Sequence, residues 1–157
     1  MNATTARALS LAVAVAVWTA ISHTAKLPFQ LWPVIVGLAC FVAAGGGLSG
    51  LQRSLAGTAS GVVWAMLYVA VAGALGRQDI LDALVLGAAV FGMVFQARVP
   101  LLSYTGGAIA GAAVAMGVLG IRAMTVQGGI RVIIALAVGA GLGYAAEFLA
   151  AKLKTRP

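Results

Sequence analysis

Six apolar runs parted by short polar breaks constrain this chain more than any other feature. They cover residues 8–21, 31–44, 55–75, 80–97, 101–121 and 129–151. Spanning the hydrocarbon core of a bilayer takes about 20 predominantly apolar residues in a helix. Runs of this kind and number predict an all-α, polytopic transmembrane bundle of about six helices, with 1–157 forming a single transmembrane domain. The charge content points the same way. Only 8% of the 157 residues are charged and 62% are hydrophobic, with a mean hydropathy of +1.08. A soluble domain carries about 25% charged residues, so lipid is the natural solvent for this surface. Nearly all the chain is used by the runs, which leaves only short loops.

The breaks have recognisable chemistry. Trp32-Pro33 opens the second run with an interfacial aromatic and a helix-starting proline. Gly45-Gly46-Gly47 ends it where the backbone is free to turn. Residues 76–79 read as a polar turn, with Asp82 in the first turn of the run that follows, where a carboxylate suits the positive helix end. Arg98-Val99-Pro100 interrupts the next two runs, because proline lacks the donor that a helix interior needs. Residues 1–25 mimic a signal peptide, but no small-x-small cleavage site follows, so a retained first helix is expected.

The net charge of +7 comes from ten basic and three acidic residues. The basic residues are scattered singly, apart from Lys152, Lys154 and Arg156. Nucleic-acid binding needs a clustered basic face, and that class is excluded. Scattered cations between apolar runs read as topology signals instead. Six spans put both termini on one side, with Arg7, Arg53, Arg98, Lys152, Lys154 and Arg156. The other side receives Lys26, Arg77, Arg122 and Arg131, with Asp79 and Asp82. This bias predicts cytoplasmic termini.

Catalytic templates are absent. Neither HExxH, CxxC, a Walker loop nor a carboxylate pair occurs. His23 is the one histidine and Cys40 the one cysteine. No metal, cofactor or enzymatic activity is expected, and Cys40 reads as a small buried residue. Glu147 is the one carboxylate inside an apolar run beyond its first turn. Its place near the end of the last run, close to the basic tail, favours snorkelling over an intramembrane charge site.

Glycines four apart mark helix faces where backbones can approach closely. Gly57 and Gly61, Gly107 and Gly111, and Gly139 and Gly143 form three such stripes, expected to pack helices within the bundle or between subunits of a homo-oligomer. A shift of 50 residues aligns the first stripe with the second and also pairs Gly37 with Gly87, Phe41 with Phe91 and Met66 with Met116. That suggests a duplication of 37–66 in 87–116.

Two polar groups stand out against this background. Ser60, Trp64 and Tyr68 are spaced by four, giving the third helix a face with a hydroxyl, an indole N–H and a phenol. Gln96, Ser103, Tyr104 and Thr105 surround the break at Pro100. Each has a structural reading, as core and interfacial turn, and a functional one, as the lining of a solute path. Irregular backbone at membrane depth is tolerated where it lines a cavity.

The segment 46–66, GGLSGLQRSLAGTASGVVWAM, resembles the central motif of a family of small bacterial inner-membrane proteins filed as domain of unknown function 1097. The likeness is strongest at its Gly-Gly-Leu-x-Gly-Leu start and its Ser-Gly-Val-Val-Trp-Ala-Met finish. Residues 96–111, QARVPLLSYTGGAIAG, are similar too, without the family's Pro and aromatic at the turn. The resemblance implies a multi-pass protein of the bacterial inner membrane and no established activity. On the residues themselves, a channel or simple transporter for a small uncharged polar solute leads, because neutral hydrogen-bonding groups suit a neutral solute. A non-transporting scaffold or accessory subunit is the alternative, and a membrane enzyme ranks third.

Overall fold

The computed structural model describes residues 3–24, 31–121 and 123–154. Lys26, Arg122 and Arg156, assigned above to loops and tail, lie outside the described residues, as does the side chain of Lys154. The described residues form six α-helices: α1 (Ala3–Thr24), α2 (Leu31–Ala43), α3 (Gly47–Ala74), α4 (Asp79–Phe95), α5 (Thr105–Leu119) and α6 (Val126–Lys154). Two single 3-10 turns, Gln96–Arg98 and Pro100–Leu102, link α4 to α5. No strand occurs among the described residues. Among the described residues, four segments are long and apolar enough to cross a membrane: Thr4–Thr24, Gly47–Ala74, Asp79–Arg98 and Val126–Lys152. Helices α2 and α5 have 13 and 15 residues. At 1.5 Å per residue they reach only about 20 Å each.

Helix bounds depart from the apolar runs where capping chemistry intervenes. Helix α3 starts at Gly47, well before the third run. It takes in the polar stretch around Arg53, which therefore sits within a helix and not in a loop. Gly45, Gly46 and Gly47 all adopt positive φ, which glycine alone tolerates cheaply, so the chain turns sharply and a new helix begins at once. Helix α5 starts at Thr105, later than the fifth run, because Val99 is extended before Pro100 (φ −86°, ψ 122°). Helix α6 begins at Val126, where the Thr125 hydroxyl accepts the Gly128 N–H at 3.1 Å.

Helix directions follow from the residues that meet. Gly57 lies against Tyr104 and Gly61 against Ala108, so α3 and α5 run parallel. Gly37 lies against Leu136 and Phe41 against Gly143, so α2 and α6 run parallel. Gly129 near the start of α6 touches Met66, while Glu147 near its end reaches Gly47, so α3 and α6 are antiparallel. Trp32 at the start of α2 meets Gly117 near the end of α5, so these two are antiparallel as well. Arg7 meets Glu147, and Gly92 meets Trp64, which sets α1 against α6 and α4 against α3. Successive helices therefore alternate in direction.

This packing repeats in threes. Helix α6 carries α1 and α2, just as α3 carries α4 and α5. The two main crossings match in detail. At one, Gly61 abuts the Ala108 carbonyl and Gly111 the Thr58 carbonyl; at the other, Gly139 abuts the Val34 carbonyl and Gly37 the Leu136 carbonyl. Equivalence of α2 with α5 and of α3 with α6, each pair antiparallel, makes α1–α3 and α4–α6 inverted repeats. The third helix of each repeat packs on the first two helices of the other, so the halves are interlocked. The glycine stripes expected from the sequence lie at these crossings, where the stripes 57/61 and 107/111 face each other.

The buried core runs through the α3–α5–α6 contact and includes Val62, Ala65, Tyr68, Ala112, Ala115 and Leu136. Large apolar side chains cover the outside, among them Val13 and Val17 of α1 and Ile80, Leu84 and Phe91 of α4. An outward-facing apolar surface and a core of small residues are what helix packing in lipid produces.

Candidate functional site

Polar side chains inside an apolar bundle have to satisfy their hydrogen bonds locally. Three of the residues singled out from the sequence do so together. The Trp64 indole N–H donates to Gln96 Oε1 at 2.9 Å. The Gln96 amide N–H donates to Ser60 Oγ at 2.9 Å. The Ser60 hydroxyl donates to the Gly57 carbonyl at 2.7 Å. The chain of bonds joins α3 to the first 3-10 turn after α4. Gly92 makes room for it, since a Cβ there would overlap the Trp64 ring. Both the oxygen and the nitrogen of the Gln96 amide are bonded to α3.

Tyr68 continues this face of α3 and is buried. With Trp64, Leu67, Val71, Val85, Ala88 and Ala89 it lines an apolar cleft of about 200 Å³ between α3 and α4. Leu67 and Val71 are exposed at its rim, so the cleft opens towards lipid.

Tyr104 sits elsewhere, at the start of α5. Its ring packs on Gly107 and its backbone carbonyl on Gly57, so it plugs the end of the α3–α5 crossing. Its hydroxyl pairs with the Cys40 thiol of α2. Tyr104 thus bridges the two repeats at their α2–α5 contact. Ser54 and Thr58 are buried on the nearby face of α3, and each hydroxyl donates back to its own helix, to Leu51 at 3.0 Å and to Ser54 at 2.7 Å. Ser103 is exposed and donates to the Pro100 carbonyl at 2.8 Å, while Thr105 begins α5. The structure therefore divides the candidates. Ser60, Trp64 and Gln96 meet, Tyr68 lines the adjoining cleft, Tyr104 turns to Cys40, and Ser103 and Thr105 join neither group.

Glu147 forms a third cluster, with Gly47 and Arg7. Its Oε2 accepts the Gly47 N–H at 2.7 Å and its Oε1 faces Arg7 at 3.4 Å. Helix α3 has no side-chain cap of its own at Gly46, and Glu147 of α6 supplies one. Carboxylate, helix N-terminus and guanidinium attract one another at the face where α1 begins and α6 ends. No group of three or more metal-ligating side chains occurs among the described residues.

Cys40 and Arg7 had no functional reading in the sequence. A lone cysteine among apolar residues gives no hint of a partner 64 positions on, and only the α2–α5 contact supplies it.

Comparison with known proteins gives one match. A family model described as "Protein of unknown function (DUF1097)" matches residues 8–151, nearly the whole chain. No curated protein and no solved structure matches.

Proposed function

The chain belongs to the DUF1097 family, and from its inverted repeat we propose that it is a simple transporter or channel for a small, uncharged polar solute. The repeat is the observation that carries the proposal. Two three-helix repeats of opposite direction are a common plan of membrane transporters, in which solute binds near the midplane where the repeats meet. Here the first two helices of each repeat are docked on the third helix of the other. The moving parts are then α1, α2 and α6 on one side and α3, α4 and α5 on the other. Solute passes between them, past the short helices α2 and α5. The neutral hydroxyl of Tyr104 and the Cys40 thiol mark one end of that seam, and Thr58 lies on α3 beside it. Such groups bind amides and alcohols and offer nothing to a bare ion, which needs charged rings or ordered carbonyls. The protein acts in a bacterial cytoplasmic membrane, crosses it six times and keeps both termini inside, in keeping with Arg7, Arg53, Arg98 and Lys152 at the terminal face.

A specific observation favours a scaffold instead: the two main crossings are closed backbone to backbone at Gly37, Gly61, Gly111 and Gly139. Proteoliposome uptake decides between the readings. Small amides, polyols and amines are screened with wild type, Tyr104→Ala and Trp64→Ala. Uptake that falls with Tyr104→Ala places the path at the repeat seam. Uptake that falls only with Trp64→Ala moves it to the α3–α4 cleft. No uptake of any solute ends the transport reading and leaves the scaffold.

A further inference from the structure

Arg98 stands where a lipid-facing helix leaves the membrane. Helix α4 has an apolar outer face, with Phe91 70% and Phe95 50% exposed. The two rings stack on each other with centroids 5.8 Å apart. The 3-10 turn that follows folds Arg98 back over this face, and its guanidinium lies 4.0 Å above the Phe95 ring centroid. An open groove of about 360 Å³ results, lined by Phe91, Val94, Phe95, Ala97 and Arg98. A guanidinium attracted to a ring face still has N–H donors that can hold an anion. No carboxylate of the chain fills that role among the described residues. Glu147 is engaged with Arg7, and Asp79 and Asp82 stand in the first turn of α4, at its other end. The missing counter-charge has to come from outside, at the depth of the headgroups and beside an apolar groove.

We propose that this groove is a binding site for one anionic phospholipid, its phosphate on Arg98 and an acyl chain along Phe91, Val94 and Phe95. The components are those of lipid recognition generally, a cation at the interface and apolar surface below it. Among the described residues, two cations of the basic face lie over rings, Arg98 over Phe95 and Lys152 over Phe148 at 4.7 Å, and it is the Arg98–Phe95 pair that lines this groove. Arg53 lies in α3 at the same face and is exposed, but it stacks on no ring.

Native mass spectrometry of the purified full chain tests the assignment, with phosphatidylglycerol and phosphatidylcholine of identical acyl chains as probes. Wild type should retain phosphatidylglycerol preferentially. Arg98→Gln should reduce that preference about fivefold, as expected for one interfacial cation. Arg98→Lys should keep most of it, Phe91→Ala should weaken retention of both lipids, and Arg53→Gln should leave the preference unchanged. An unchanged preference in Arg98→Gln overturns the proposal. So does an equal loss in Arg53→Gln, which would mean a diffuse basic face. A photoactivatable phosphatidylglycerol on wild type reads the site without any substitution. Labelling should concentrate on the peptide containing residues 91–98, and labelling centred elsewhere overturns the site.

Discussion

Glycine position decides more here than glycine number. At Gly61 and Gly139 a Cβ would overlap the carbonyl oxygens of Ala108 and Val34, which are backbone atoms and cannot swing aside. At Gly87 and Gly141 nothing lies within reach of a Cβ. Overpacking a tight site costs about 1–3 kcal/mol, whereas alanine in an open helix interior is favoured over glycine by roughly 0.5–1 kcal/mol. Gly61→Ala and Gly139→Ala should therefore lower the melting temperature in detergent, and Gly87→Ala and Gly141→Ala should raise it slightly. Equal melting of all four variants would mean that the crossings are looser than described. A second contrast concerns the α3–α4 network. Gln96→Leu leaves the half-buried Trp64 N–H without its partner, a loss of about 1 kcal/mol. Ser60→Ala removes the acceptor of the Gln96 amide and a donor to the Gly57 carbonyl, which belongs to its own helix, and should be milder. The ordering of the two melting temperatures is the check. The Ser60–Trp64 half of this network was legible in the sequence, because four-residue spacing fixes a helix face. Gln96 was legible only as a polar residue at a break, since its bond to Trp64 depends on how α4 packs.

At the scale of helices, existence could be read from the sequence and ends could not. Apolar runs locate all six helices. Their ends are set by caps, which involve single residues and sometimes distant ones. Helix α3 is the clearest case, because a carboxylate 100 positions away accepts the N–H of its first residue. No local pattern announces that. The Glu147 cap also explains why α3 can start directly at a glycine turn with no Ser, Thr, Asp or Asn at Gly46. An N-cap side chain contributes about 1 kcal/mol in ordinary contexts. Glu147→Ala should therefore fray the first turn of α3, seen as faster amide hydrogen exchange over residues 47–51. Exchange in α5, which lacks this contact, should not change. Glu147→Gln keeps an acceptor oxygen and should fray α3 less. Identical exchange in wild type and Glu147→Ala would show that the glycine turn alone sets the start of the helix.

For the whole molecule, the inverted repeat is the feature the sequence hid most completely. Gly37 corresponds to Gly111, 74 residues on, and Gly61 to Gly139, 78 residues on. The offset changes because the link from α2 to α3 is shorter than that from α5 to α6, so no single shift of the chain reveals it. The shift of 50 finds a different relation, the likeness of the two glycine stripes that meet across α3 and α5. Inverted repeats require an odd number of crossings in each half. The demand falls on α2 and α5, whose reach of about 20 Å is short of a hydrocarbon core of about 30 Å. Both are sheltered by longer helices: α2 lies on α6 and α5 on α3. Protein in place of lipid around their ends makes a short crossing tolerable. Reporter fusions after Thr24, Gly45, Arg77, Arg98, Ile121 and the C-terminus should then alternate, outside first and inside last. The decisive pair is Thr24 and Gly45, which bracket α2. Opposite sides mean that α2 crosses and that the halves are related as described. The same side would make α2 re-entrant, set α3 and α6 on different terms with the membrane, and remove the repeat on which the transport reading rests.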